Sequence, residues 1–540
     1  MLRSLSFLHY KAFNQGEIEL RPLTIILGAN NTGKTSLLQI MLLIQQTLTT
    51  ATTRYKSALR LHDRYVTLGA PETLFHDQCL DKALVFSFGF NSAHLLELLK
   101  SRLLNDYIRN IESLERELKR ASMLIESPES TLKNQQTPDG NEIDETKDFE
   151  QVTALKLRSI ALLREKLKDV KDGSEERFVW LLPGRARRRD RISLYSNRDL
   201  EGTFYFLLAL TRLRLEEFEL SFGLNLDEES LFKVSRLTLS NDQQKIIEVV
   251  FNSDGEVIEL SSDIVSRQHL PAPQSVQKVF NLDKTLWRMI SEDEGIGTLL
   301  TEVWRTVLSE AVRQLARNFD DNRLFHVGPL RGHPKRFYFL DRANLEYNQG
   351  GFIEALKDNS ELLSKVNHWL ERFQIKVAVS EFRSVIHRLS VTQPNVSADL
   401  DITDVGFGIS QVLPVIVQGF LAPEGSLTLI EQPETHLHPR MQAELADLFI
   451  DMIGGTQVSP SKQLVIETHS EYLLKRLRRR VAEGRIQAKN VILYFISRKN
   501  EDSATSIIKR AEMSEKGAFD WPAEFYEDDL EDTIEFLKAL

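Results

Sequence analysis

Cysteine is nearly absent from this chain: among 540 residues there is one, Cys79. A single thiol excludes an intrachain disulfide framework and suits a reducing compartment. No apolar run reaches spanning length, so the sequence offers no membrane helix. The opening "MLRSLSFLHYKAFNQGEIEL" reads as strand and turn rather than as a signal peptide, and the expected location is the cytoplasm. Excess positive charge is lacking too. The formal net charge is -10, so any nucleic-acid contact has to come from local basic patches rather than from a global field. Internal repeats are missing as well. What is present is ordinary for a folded protein: 42% hydrophobic and 27% charged residues, in a chain long enough for two or more domains with substantial cores.

Along the chain, "LTIILG" reads as a strand, "TSLLQIMLLIQQTL" as a helix and "ALVFSFGF" as a later strand, the entry half of an α/β nucleotide domain over residues 1–92. From Ala93 the texture changes to charged helix. Tyr107, Ile111, Leu114 and Leu118 recur at steps of three and four, as do Ile160, Leu163, Leu167 and Val170, with a polar Pro- and Gly-containing link between. The pattern over residues 93–172 predicts an antiparallel coiled-coil hairpin, or alternatively two amphipathic helices packed on the body. Residues 173–277 hold a basic run and then strands at "EEFELSFGL", "FKVSRLTLS", "KIIEVVFN" and "EVIELS", an expected antiparallel β layer. A helical block follows in residues 278–322, and residues 323–540 carry the remaining motifs. "NVILYFISRKNEDSATSIIKRAEM" reads as strands completing the nucleotide-domain sheet.

The strongest motif is "GANNTGKTS", Gly28 to Ser36, with a strand before it and a helix after it. Its glycines let backbone amides converge on phosphate oxygens. Lys34 carries charge to the β- and γ-phosphates, and Thr35 supplies a hydroxyl for Mg²⁺, all at a helix N-terminus. Such a loop needs a carboxylate at the end of a neighbouring strand, and Glu431 follows the apolar Leu427 to Ile430 in "SLTLIEQPETHLHP". A third strand, "QLVIETHS", ends in Thr468, His469 and Ser470; His469 reads as a donor to the γ-phosphate or as a capping residue. His436 and His438 lack a third ligand at useful spacing, and a turn accounts for them better than zinc does. Two arginine runs, Arg185, Arg187, Arg188, Arg189 and Arg191, and Arg476, Arg478, Arg479 and Arg480, are candidates either for gripping phosphate or for salt bridging. Neither has the aromatic interleaving of a single-strand platform.

The order "GANNTGKTS", "DVGFGISQVLP", "LIEQPETHLHP", "VIETHS" resembles the ABC-type ATPases of the SMC-like and OLD-like branch. Size and layout are similar to the ATPase subunits of Septu-type anti-phage systems, including those attached to retrons. The likeness covers residues 1–90 and 320–540 and leaves the arm uncovered. It implies an α/β ATPase head with split N- and C-lobes, an antiparallel β layer beside the P-loop sheet, and an inserted helical arm. It makes Asn30, Asn31, Thr32, Gly33, Lys34, Thr35 and Ser36 nucleotide contacts, and Thr35 and Glu431 the Mg²⁺ pair. Gly406, Gly408 and Ser410 fall in the signature segment, Thr435 to Pro439 in the D-loop, and His469 at the switch position. In that family the signature presses on the nucleotide of the opposite subunit, which implies a homodimer or higher even oligomer glued by ATP.

One departure stands out. Where most members read Asp-Glu-Pro, this chain reads Glu431, Gln432, Pro433. A glutamine can position water but cannot take its proton, so hydrolysis is expected to be slow unless Glu434 or another group substitutes. The acid-rich nuclease domain of the OLD enzymes has no counterpart here, so nuclease chemistry is expected in a partner. The resemblance implies an HNH nuclease subunit and, in retron-linked forms, a reverse transcriptase with its DNA and RNA. The competing expectation is an SMC- or RecF-like repair ATPase acting directly on DNA; a transporter subunit fits poorly with the arm and the size.

Overall fold

The computed structural model describes residues 1–49, 57–91, 197–212, 217–241, 244–270, 299–339, 351–383, 386–393, 399–455, 460–500 and 503–520, with a few isolated positions besides. The expected coiled-coil hairpin and the first arginine run, Arg185 to Arg191, lie outside the described residues.

Three sheets organise what is described. The first is antiparallel and seven-stranded. It contains β1 (Leu2–Tyr10), β2 (Phe13–Glu19), β4 (Leu84–Asn91), β5 (Glu217–Leu226), β6 (Phe232–Asn241), β7 (Gln244–Phe251) and β8 (Val257–Ser261), in the order β2-β1-β4-β5-β6-β7-β8. The expected β layer of the "EEFELSFGL" to "EVIELS" region is therefore present, and it is continuous with the N-terminal strands. Alternation drives it: Phe86, Phe88 and Phe90 of β4 and Phe218, Leu220 and Phe222 of β5 are buried on one face. Against that face lies α3 (Leu299–Asn318), with α2 (Asn197–Arg212) packed beside it. In α3 the residues Leu300, Trp304, Val307, Leu308, Ala311 and Leu315 recur at helical spacing and are all buried, so this helix is part of the core.

The second sheet has six strands in the order β17-β16-β3-β15-β14-β9: β17 (Ser506–Ala511), β16 (Val491–Arg498), β3 (Leu23–Gly28), β15 (Gln463–Glu467), β14 (Leu427–Glu431) and β9 (Leu324–Val327). All neighbours are parallel except β17, which returns antiparallel on β16. The near-continuous apolar runs of β3, β14 and β15 suit strands covered on both faces. Ile26 and Leu429 enter the core shared with the antiparallel sheet. Leu23, Ile25, Leu27 and Ile430 enter a second core. That second core is closed by α4 (Gly351–Asp358), α5 (Ser360–Leu370), α6 (Phe407–Leu421), α7 (Pro439–Met452) and α8 (Glu471–Ala482). A small sheet of β10 (Tyr338–Phe339), β11 (Lys376–Arg383), β12 (Ile386–Thr392) and β13 (Leu400–Asp401) flanks these helices. The fold is mixed α/β, and no described helix is long and apolar enough to cross a membrane.

Candidate nucleotide site

The C-terminal edge of the six-stranded sheet gathers the predicted residues. β3 ends at Gly28, whose φ of 145° and approach to β16 leave no room for a side chain: a Cβ there would lie 2.1 Å from the Ile496 carbonyl oxygen. The chain then loops through exposed Ala29, Asn30 and Asn31 to Gly33, at φ 99°, and enters α1 (Lys34–Thr49). The loop is held by its own backbone. The Ala29 carbonyl accepts from Thr32 Oγ1 at 2.9 Å and from Lys34 Nζ at 2.6 Å, and the Ser36 amide donates to the Gly33 carbonyl at 3.0 Å. Lys34 is buried, and burial lowers its pKa while Glu467 and Glu434 pull it back up.

Three carboxylates gather at this edge, and two of them, Glu467 and Glu434, act on the lysine. Glu431 ends β14 and accepts from His326 Nε2 at 2.7 Å; His326 is on β9, the adjacent strand. Glu467 ends β15, which lies between β14 and β3, and its two oxygens take the Thr35 hydroxyl at 3.1 and 3.0 Å. Burial, then the neighbouring charge of Glu431, pushes the Glu467 carboxyl up to about 7, against the pull of Thr35 and Lys34. Glu434 accepts the His469 amide at 2.7 Å through one oxygen, while its other oxygen is shielded from water and without a hydrogen bond. Its pKa is raised, chiefly by burial. His469 has a shielded Nε2 with no hydrogen bond, and burial followed by the charge of Lys34 lowers its pKa, so its ring is neutral at pH 7. The helix cap at this corner is Ser470, which accepts from the Leu473 amide. His469 is therefore left facing the cluster.

Behind the carboxylates stands Arg331, 5% exposed. Its guanidinium donates to the carbonyls of Glu431 at 2.7 Å, Gln432 at 3.3 Å and Gln411 at 3.2 Å, tying the end of β14 to α6. Burial lowers its pKa to about 10 despite Glu434 and Glu431 nearby. Gln432 sits at a left-handed φ of 43°, with its amide donating to the Glu467 carbonyl. A backbone conformation of this kind in a non-glycine residue persists only where its surroundings hold it.

The signature residues divide. Gly406, at the N-terminus of α6, is exposed and a side chain there would meet nothing within 4 Å. Gly408 packs against the D-loop, where a Cβ would lie 2.8 Å from the His436 carbonyl oxygen. Ser410 is buried and lines a cavity of about 460 Å³ beside Leu413, Tyr338 and Lys335. The D-loop histidines have local roles: His438 caps α7, accepting from the Arg440 amide at 3.3 Å. Among the described residues no three His, Cys, Asp or Glu side chains are grouped as a metal site. The arginines of α8 are engaged within the chain. Arg476 and Arg480 bind Asp447, with further bonds to Glu444 and Glu483; Arg479 binds Glu483, and Arg478 donates to the Gly517 carbonyl. Here the salt-bridge reading replaces the phosphate-grip one, because α7 presents its acids to the basic face of α8.

The sequence reading missed Glu467, Arg331 and His326 as members of the site. Glu467 and His326 each stand at or near the end of an apolar strand, and that position was the available signal. The donor set fits a nucleotide with Mg²⁺. Amides and a lysine lie at a helix N-terminus, and a hydroxyl and carboxylates supply hard oxygen donors of a site that phosphate and water would complete.

Residues 1–474 match the family model AAA_15, an AAA ATPase domain. Among solved structures, the chain is similar to an SMC head domain from Thermotoga maritima at 7% identity and a TM-score of 0.34, covering 95% of this chain and 99% of that one. It is also similar to an Smc head bound to the C-terminal winged-helix domain of ScpA, at 8% identity, a TM-score of 0.39, and coverage of 95% and 98%. A third is an Smc head with an extended coiled coil bound to the C-terminal domain of ScpA, derived from Pyrococcus furiosus, at 8% identity, a TM-score of 0.31, and coverage of 100% and 98%. No curated protein matches the chain.

Proposed function

The chain belongs to the AAA_15 family of AAA ATPase domains, and on that footing we propose that it holds ATP as a long-lived state and hydrolyses it slowly. The observation that carries this reading is the company around Lys34. Glu467 and Glu434 act on the charge of that one lysine, Glu431 stands beside Glu467, and a glutamine, Gln432, stands where the sequence pattern puts the water-activating acid. Lys34 and the loop amides bind phosphate oxygens. Thr35 and Glu431 would hold the metal, and neutral His469 would donate toward the γ-phosphate. Magnesium supplies charge neutralisation of the phosphate groups when bound. Gln432 orients water without accepting its proton, and the chemical step is slow for that reason.

In this reading ATP joins two heads across exposed Gly406 and the D-loop, and the joined state controls a partner. The size and layout, similar to those of Septu-type ATPase subunits, support a nuclease of the HNH type as that partner, in an anti-phage complex. The test is turnover and mass in solution, with and without ATP, for wild type, Lys34→Ala and Gln432→Glu. Slow turnover with ATP-dependent assembly, both lost in Lys34→Ala and turnover faster in Gln432→Glu, is expected. Rapid wild-type turnover that Gln432→Glu leaves unchanged would make ATP fuel and overturn the state-marker reading.

A further inference from the structure

The sequence assigns the metal-binding carboxylate to β14, yet the hydroxyl that a P-loop offers to magnesium is held by β15. Thr35 Oγ1 lies 3.0 Å from one oxygen of Glu467 and 3.1 Å from the other. The strand order explains why. β15 is inserted between the P-loop strand and β14, and its register pairs Glu467 with Ile26 on one side and with Glu431 on the other. Neighbouring residues in register on parallel strands point to the same face. Glu467 and Glu431 thus stand side by side, with Glu467 nearer the loop. Glu431 is meanwhile engaged from the far side: His326 Nε2 donates to its Oε1 at 2.7 Å and Arg331 to its backbone carbonyl at 2.7 Å.

We propose that Glu467 is a second carboxylate of the magnesium site, sharing the ion's oxygen shell with Thr35, while His326 is a positioning residue that fixes the orientation of Glu431. This rests on the nucleotide reading given above. A hydroxyl and a bidentate-capable carboxylate within hydrogen-bond reach are the oxygen donors a hard cation takes, with phosphate and water filling the remaining positions. Charge points the same way. Glu431, Glu434 and Glu467 face two cations, Lys34 and Arg331. Adding phosphate to that excess of negative charge calls for a divalent ion. The histidine donating to a metal-site carboxylate follows the usual outer-shell arrangement, in which the second partner fixes the ligand's direction.

The measurement is binding of a fluorescent ATP analogue to the full chain across a Mg²⁺ titration, for wild type, Glu467→Gln, Glu467→Asp, His326→Gln and His326→Ala. With Glu467→Gln the Mg²⁺ midpoint should rise about tenfold or more. Binding in EDTA should hold or tighten, since a negative charge beside the phosphates has gone. Glu467→Asp, which keeps the charge on a shorter arm, should fall between, and it decides the matter if Glu467→Gln unfolds. His326→Gln retains a donor and should shift the midpoint less than His326→Ala does. A Glu467→Gln midpoint equal to that of wild type overturns the proposal. So does wild-type binding that ignores Mg²⁺. Wild type that binds no nucleotide in either condition instead sinks the ATP reading beneath it.

Discussion

Arg331 shows what a single buried charge can organise. Its guanidinium has carbonyl oxygens as its hydrogen-bond partners, on Glu431, Gln432 and Gln411, and holds the strained turn after β14 against α6. Truncation would leave buried acceptors without donors, each worth about 1 to 3 kcal/mol. Arg331→Ala should therefore lower unfolding stability in denaturant by roughly 3 kcal/mol. Arg331→Lys should recover only part of it, because one ammonium cannot span the planar fork. Glu467 makes a pH prediction. Its carboxyl, ordinarily near 4.5, is raised to about 7 in the folded chain, by burial first and by Glu431 second. Between those values the folded form keeps a proton that the unfolded chain has released, so stability present below the lower value is lost as pH rises through the upper one. Thermal unfolding of the nucleotide-free protein should show this loss, on the order of 3 kcal/mol, and Glu467→Gln should flatten it. Lys34, Thr35 and His469 were legible in the sequence as members of the cluster because their positions are fixed by neighbours in the chain. Glu467, His326 and Arg331 were not, although Glu467 lies inside the quoted "VIETHS". Their places follow from strand order, β15 sitting between β3 and β14 and β9 beside β14, and strand order is set by packing rather than by local pattern.

At the level of elements, the strands were readable wherever alternation or a continuous apolar run met a turn, as in β3, β5 and β14. The helices α3 and α8 announced themselves by their apolar stripes. What the pattern could not say is which surfaces meet. The arginine run of α8 was equally consistent with a phosphate grip until α7 placed Glu444 and Asp447 against it. Asp447 is now the hinge of that pairing: burial alone would raise its carboxyl, but Arg480 and Arg476 outweigh it and hold the group below its ordinary 3.8. Its contribution is present above that value and disappears as pH falls through the lower, folded one. Asp447→Asn should cost about 3 kcal/mol, since it leaves two half-buried guanidinium groups short of a partner, and acid unfolding should shift accordingly. Another element-level prediction concerns the β3–β16 seam. Gly28→Ala would set a methyl group against the Ile496 carbonyl, 2.1 Å away, at a φ of 145° that alanine resists. The strand end must move, and with it the phosphate loop. Nucleotide affinity should fall at least about tenfold in equilibrium binding, with the helices of the second core still folded by circular dichroism.

Across the whole molecule, the six-stranded sheet is the wall between two hydrophobic cores, with Ile26 and Leu429 on one side and Ile25, Leu27 and Ile430 on the other. The phosphate loop leaves from the middle of that wall, and its helix α1 runs into the first core, while Glu431 and Glu467 end strands that feed both cores and His469 leads into α8 of the second. Nucleotide would therefore contact groups anchored in both cores at once, and binding should raise the stability of both together. A ligand that binds only the folded state stabilises it by about 2.7 kcal/mol at a hundredfold excess over its Kd. Mg²⁺ and a slowly hydrolysed ATP analogue should thus shift calorimetric unfolding upward as one transition, by several degrees. Lys34→Ala should abolish the shift with little change in the ligand-free midpoint, because among the described residues Lys34 Nζ hydrogen-bonds the Ala29 carbonyl alone and the unfavourable burial of its charge offsets the pull of Glu467 and Glu434. If ligand instead splits the melt into two transitions, one moving and one fixed, the cores fold independently, and the site draws its rigidity from one side of the sheet alone.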